Sequence, residues 1–275
     1  MKLIIKIIQI FSSKLVSKIA YKFMSNPRTR KLRKSEEKVL NESSINNIKY
    51  LNFEITKYEW GIENTKIALL VHGWEGQAGN FASVINVLTK NNYKVIAYDA
   101  PSHGRSSKGS TNMFQFSDFL ETEVLNFEPH LIISHSFGSV NTATLLRKNP
   151  SLKIPLWILV TTPHRFIMRV NEMSNHFGLN SKTKNELIKR IQNDTQENIN
   201  QLDMAIYCSE LINLKKAVIV HSKEDKVLPI EGARNVSKSF NNCSMIELNN
   251  LGHYAILWSK ELKEIIDKNT TAKNV

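Results

Sequence analysis

The chain has 275 residues, 41% of them hydrophobic, with 10 glycines and 7 prolines: enough apolar mass for one full core, and too little Gly and Pro for a low-complexity chain. Its formal charge of +12 is uneven, because residues 1–34 hold ten of the 37 Lys and Arg and no Asp or Glu, leaving 27 basic against 25 acidic residues elsewhere. A body so close to neutral argues against nucleic acid as a partner. Cys208 and Cys243, far apart and outside any C-x-x-C pair, give no disulfide framework and no zinc signature, and fit a reducing, cytoplasmic compartment.

The first predicted element is a helix. Residues 3–11 (LIIKIIQIF) are strongly apolar, and Lys2, Lys6, Lys14, Lys18 and Lys22 fall mostly four apart with apolar residues between them. The run is too short and too charged for a membrane span, which needs about 20 apolar residues. A secretory signal would need an uninterrupted apolar core followed by a small-residue cleavage site, and neither is evident. Two readings stay open: an interfacial amphipathic helix on an anionic bilayer, peripheral at the inner membrane surface, or a helix that packs its apolar face on the parent domain. Asn26-Pro27 ends the helix, and Arg28 to Lys34 reads as a solvated basic run. Residues 1–34 are therefore set apart as a basic amphipathic extension, and 35–275 as the body.

From residue 48 strands alternate with helices. Residues 48–59 read as one or two antiparallel strands. Short apolar runs at 66–71 and 94–98 read as buried strands, the first of them covered on both faces, and 130–134, 155–161, 217–221 and 244–248 read as further strands. Helical spacing occupies 80–91, 113–127, 139–148, 230–240 and 255–267. This order predicts an α/β fold: a mostly parallel central sheet flanked by helices. Between Pro163 and Lys215 no strand is evident, and helical periodicity recurs at 183–192 and 199–213. Fifty residues are too many for an ordinary connection, so a helical lid is expected at about 164–215.

Four segments at strand ends carry chemistry. Ser134-His135-Ser136-Phe137-Gly138 lies between a strand and a helix, where a tight turn would lift Ser136 and aim the Phe137 N–H at a developing oxyanion. His72-Gly73-Trp74-Glu75-Gly76 follows an earlier strand, and the Trp74 N–H is the candidate second donor. His253, after the last strand, is the candidate base, since a serine hydroxyl needs a neighbour to take its proton. Asp225, after the preceding strand, is the candidate carboxylate that orients the imidazole, with Glu224 as runner-up. Each segment alone also fits an ordinary loop; together, in the order Ser, Asp, His, they point to one site.

These segments resemble the α/β-hydrolase superfamily over roughly residues 50–268. Asp99-Ala100-Pro101-Ser102-His103-Gly104-Arg105-Ser106 is similar to that fold's D-x-P-x-H-G-x-S segment, which in the family shapes the site and does not supply the triad. HGWEG, DAPSHGRS and GHY..L together look most similar to small bacterial hydrolases. The resemblance implies cleavage of an ester, thioester or amide in a small-molecule acyl substrate, without metal or organic cofactor. Two departures stand out: Ser134 replaces the usual first glycine of the elbow, and the nucleophile position is Ser and not Asp. Transfer of the acyl group to an acceptor other than water, or a non-catalytic binding role, are the competing expectations. Phe137, Trp74, Phe166, Met168 and Phe177 are candidates for an apolar pocket.

Overall fold

The computed structural model describes residues 2–28 and 31–271. The extension forms α1 (Lys2–Phe11) and α2 (Ser13–Met24), with Ser12 capping α2 by accepting from the Leu15 N–H at 3.2 Å. Part of the expected basic run, residues 29 and 30, lies outside the described residues. A helix not expected from the sequence, α3 (Lys34–Asn41), leads into the sheet.

The strands are β1 (Ser44–Tyr50), β2 (Phe53–Trp60), β3 (Lys66–Val71), β4 (Tyr93–Tyr98), β5 (Leu131–His135), β6 (Ile154–Val160), β7 (Leu214–Ser222) and β8 (Cys243–Leu248). Their order in the sheet is β1-β2-β4-β3-β5-β6-β7-β8. β1 pairs antiparallel with β2, and β2 with β4; the other pairs are parallel. Strand direction alternates side chains between faces, and two cores result. Leu69, Ile96, Ile132 and Ile219 point to one, Leu70, Ile133, Ile158 and Val220 to the other. Each such side chain contributes about 1.5–3 kcal/mol by leaving water. α5 (Gln115–Val124), α6 (Gly138–Lys148) and α10 (Ile230–Ser237) cover the first face; α4 (Ala82–Lys90) and α11 (Lys260–Thr270) cover the second.

Three helices lie between β6 and β7: α7 (Phe166–Phe177), α8 (Ser181–Thr195) and α9 (Met204–Ser209). α7 begins further upstream than the predicted periodicity, and β7 starts at Leu214. α1 and α2 rest on this inserted layer, but not by the apolar face that the packing reading expected. They turn a stripe of small and polar residues inward (Gln9, Ser13, Val16, Ser17 and Ala20) and leave their bulky apolar residues outside. Gln9 fixes the contact, donating to Gly178 O at 3.1 Å and accepting from the Asn180 N–H at 2.9 Å. Among the described residues no helix is long and apolar enough to cross a membrane.

The sheet places the site. From β3 the chain goes to β4 on one side and to β5 on the other, so the loops after β3 and β5 diverge from neighbouring strand ends. A crevice opens at such a switch point.

Candidate active site

Ser136 stands at the turn from β5 into α6 with φ +53°, a left-handed conformation that a non-glycine residue adopts only when its surroundings hold it there. Its N–H donates to Val160 O at 2.9 Å, tying the turn to β6. Gly138 is fixed by space: a Cβ there would lie 2.2 Å from Val71 O. Ser134, where the first glycine was expected, is fully buried and its hydroxyl is used. The Trp157 indole donates to Ser134 Oγ at 2.8 Å, and Ser134 Oγ shares a hydrogen bond with Ser139 Oγ at 2.9 Å. Glycine could not satisfy that buried indole.

Residues from three strand ends meet at this turn. The Ser136 hydroxyl donates to His253 Nε2 at 3.0 Å, and His253 Nδ1–H donates to Asp225 Oδ2 at 2.8 Å. Asp225 Oδ1 accepts from the Val227 and Leu228 N–H groups at 2.7 and 2.9 Å. Burial raises the Asp225 carboxyl, but the His253 hydrogen bond and charge and the two backbone donors outweigh it and hold it below its ordinary value. Glu224 is turned away, accepting from the Asn250 N–H and Ser222 Oγ. Two histidines to which the sequence assigns no role hold the frame. His135 donates to His253 O at 2.9 Å, and His221 donates to Leu228 O at 2.9 Å behind Asp225. Burial, together with the neighbouring His253, pushes His135 down to about 3, so it is neutral.

The loop after β3 lies against the elbow. A Cβ on Gly73 would come within 2.9 Å of His135 O and of Ser136 Cβ, so glycine alone permits this approach. Among the described residues the N–H groups of Trp74 and Phe137 have no acceptor within the protein. His72 donates to Gly73 O and accepts from the Ala100 N–H at 3.0 Å; His103 donates to Pro101 O and accepts from the Glu75 N–H at 3.1 Å. Burial lowers them to about 4 and about 3, which keeps each free to accept. Asp99 accepts from Tyr58, Ala78 and Arg105, so the DAPSHGRS segment braces the Trp74 loop.

Phe137 separates two small cavities. One is lined by Trp74, Met113, Phe116 and Asn141, the other by Val140, Phe166, Leu202, Met204 and Tyr207. Phe114, Phe137 and Phe166 form an aromatic cluster with ring centroids 6.0–6.5 Å apart. Two expected lining residues lie elsewhere: Phe177 packs on Phe23 of α2, and Met168 lines a separate groove with Pro229. Met168, two residues on from Phe166, falls on the opposite side of α7, and Phe177, eleven residues on, shares Phe166's side but lies about three turns away along the helix. Among the described residues no group of three or more His, Cys, Asp or Glu is arranged to hold a metal ion.

Residues 62–205 match the family model described as serine aminopeptidase, S33. Human monoacylglycerol lipase ABHD6 is 22% identical over 255 residues, 72% of this chain and 74% of that protein. The Pyrococcus furiosus esterase Pf2001 superposes with a TM-score of 0.64 at 16% identity, covering 89% of this chain and 95% of that one. A bacterial membrane phospholipase A, described as a virulence factor, superposes with a TM-score of 0.64 at 17% identity, covering 85% and 87%. At these identities the superpositions establish the α/β-hydrolase fold. The family match, more than half the chain long, establishes the rest: the chain belongs to the serine aminopeptidase, S33, family of α/β-hydrolases, and is a hydrolase.

Proposed function

We propose that this enzyme cleaves a carboxylic ester through an acyl-enzyme on Ser136. The observation that carries the reading is the continuous hydrogen-bonded line Asp225–His253–Ser136, at 2.8 and 3.0 Å, ending on a serine held at φ +53°. With Nδ1–H committed to Asp225, His253 Nε2 is left as an acceptor directed at Oγ. As Ser136 attacks the acyl carbonyl, His253 takes its proton, and the Trp74 and Phe137 N–H groups bind the oxyanion. The start of α6 adds its dipole there. His253 returns the proton to the leaving alkoxide. Water then attacks the acyl-enzyme by the same route and releases the acid.

The walls favour an apolar acyl group over the free amino terminus of a peptide. An α-ammonium group would need a carboxylate, and Asp203, the carboxylate of the Phe166 cavity, is already occupied by Arg165 at 2.8 Å and the Ala205 N–H. Similarity to a protein named as a monoacylglycerol lipase points the same way. The test is turnover of p-nitrophenyl esters from acetyl to palmitoyl. Ser136→Ala is expected to lower kcat by about five to six orders of magnitude and to abolish fluorophosphonate labelling. Undiminished turnover in Ser136→Ala would overturn the assignment.

A further inference from the structure

The outer face of α1 and α2 is unlike any other surface of the molecule. Ile4, Ile7, Phe11, Leu15, Ile19 and Phe23 recur three or four apart along it, and all are exposed, Phe11 by 85%. The spacing continues in the sequence across Ser12, where extended backbone separates α1 from α2. One face over on α2, Lys14, Lys18 and Lys22 run parallel to Leu15, Ile19 and Phe23, and all three are exposed. Folding does not require this arrangement. The contact with the inserted helices is made by the small and polar stripe described above, and the Tyr21 hydroxyl adds a hydrogen bond to Asp194 of α8. Apart from Phe23, whose ring meets Phe177, the apolar face is therefore surplus to the intramolecular packing.

We infer that the α1–α2 face docks on an anionic lipid surface, with its apolar line in the acyl boundary and its lysines among the headgroups. An interfacial helix combines this kind of apolar face with a lysine-rich flank. Three observations select lipid as the occupant. Residues 1–34 hold ten basic residues and no acidic one, so the complementary surface is anionic over its whole extent. A second copy would bring the same lysines against these and repel them. The face is also continuous with the site. On leaving α2, Ser25 O accepts from the Thr111 N–H at 2.8 Å, and Thr111 lines the cavity beside Trp74. Three residues later Arg28 grips Glu75, next to Trp74, with Nε–Oε1 2.7 Å and Nη2–Oε2 2.9 Å. Docking thus holds the candidate oxyanion loop at a fixed place relative to the bilayer. The docking stands independently of the ester chemistry.

The experiment is sedimentation of the full chain with vesicles of phosphatidylcholine mixed with phosphatidylglycerol, and with phosphatidylcholine alone. Turnover of a water-soluble p-nitrophenyl ester is read in parallel. Wild type should bind the mixed vesicles, and added salt should weaken binding. Lys14→Glu/Lys18→Glu/Lys22→Glu should lower the partition coefficient by on the order of 100-fold, at about fivefold for each lysine lost and more for each charge reversed. Ile7→Ser/Phe11→Ser/Ile19→Ser should lower it by at least about tenfold. These side chains are exposed, so turnover of the soluble ester should stay at the wild-type level. Wild type remaining in the supernatant with mixed vesicles would overturn the docking, as would undiminished binding by both variants. So would a dimer in solution that the Ile7/Phe11/Ile19 variant converts to monomer. Vesicle binding without any ester turnover would uphold the docking and count against the proposed function; turnover without binding would do the reverse.

Discussion

The strand-end loops and the outer helical layer are built by opposite means. At the strand ends the buried carboxylates have several partners each: Asp225 accepts from His253, Val227 and Leu228, and Asp99 accepts from Tyr58, Ala78 and Arg105. In the layer of α1, α2 and α8 the contact is one narrow stripe with a few hydrogen bonds, and most of the bulky apolar side chains are exposed. The first region holds individual atoms in place, the second only a face. Substitutions should therefore be costly and specific at the strand ends and nearly silent for stability on the outer helices.

After Ser136 itself, the largest effect is expected at Asp225. Asp225→Asn should lower kcat by about four orders of magnitude, since an amide there leaves the imidazole in the wrong tautomer. Glu224→Gln, which touches Asn250 and Ser222 but not His253, should leave kcat within about twofold of wild type. Steady-state turnover of a soluble ester reads both. Equal losses in the two variants would mean that the carboxylate was misassigned.

A smaller effect concerns acid stability. His103 is held neutral by burial, its folded value lowered from 6.5 to about 3. The unfolded chain therefore binds a proton that the folded chain refuses. This stability is present in full above pH 6.5 and is lost as pH falls from there toward 3. His103→Asn should make the decline shallower by up to about 1.4 kcal/mol per pH unit, measured as the pH dependence of the urea unfolding free energy. An unchanged slope would mean that His103 is not the proton acceptor.

The smallest effect is expected on the outer helices. Phe11→Ser, which removes a large apolar side chain from solvent, should change unfolding free energy by less than about 0.5 kcal/mol. A loss of several kcal/mol would mean that the face is packed in solution, and the contrast between the regions would fail.

That contrast also explains what could be read in advance. Strands such as KIALLV and LIISH are continuous apolar runs because both faces are buried, and they mark their own loops. The Ser136 and Asp225 loops were legible because each follows such a run, whereas the His253 loop follows the half-exposed β8 and was legible from its glycine and its place after the last strand. Which face of α1 and α2 turns inward was not: the apolar, lysine-spaced pattern fits a helix lying on a bilayer as well as one packed on the domain, and the stripe that packs, Gln9 of α1 with Ser13, Ser17 and Ala20 of α2, carries no periodic apolar signal. α3 was missed because KSEEKVLN buries only Glu36 and Leu40 and shows no long period. The braces of the site were hidden for another reason. His135 reaches His253 across 118 residues, and no local pattern records that distance.

Four histidines crowd the crevice, yet they do not compete. His72, His103 and His135 are pushed down to about 4, 3 and 3, so near neutral pH they carry no charge. In the proposed mechanism the proton given up by Ser136 therefore has one histidine to occupy, and its path is unbranched.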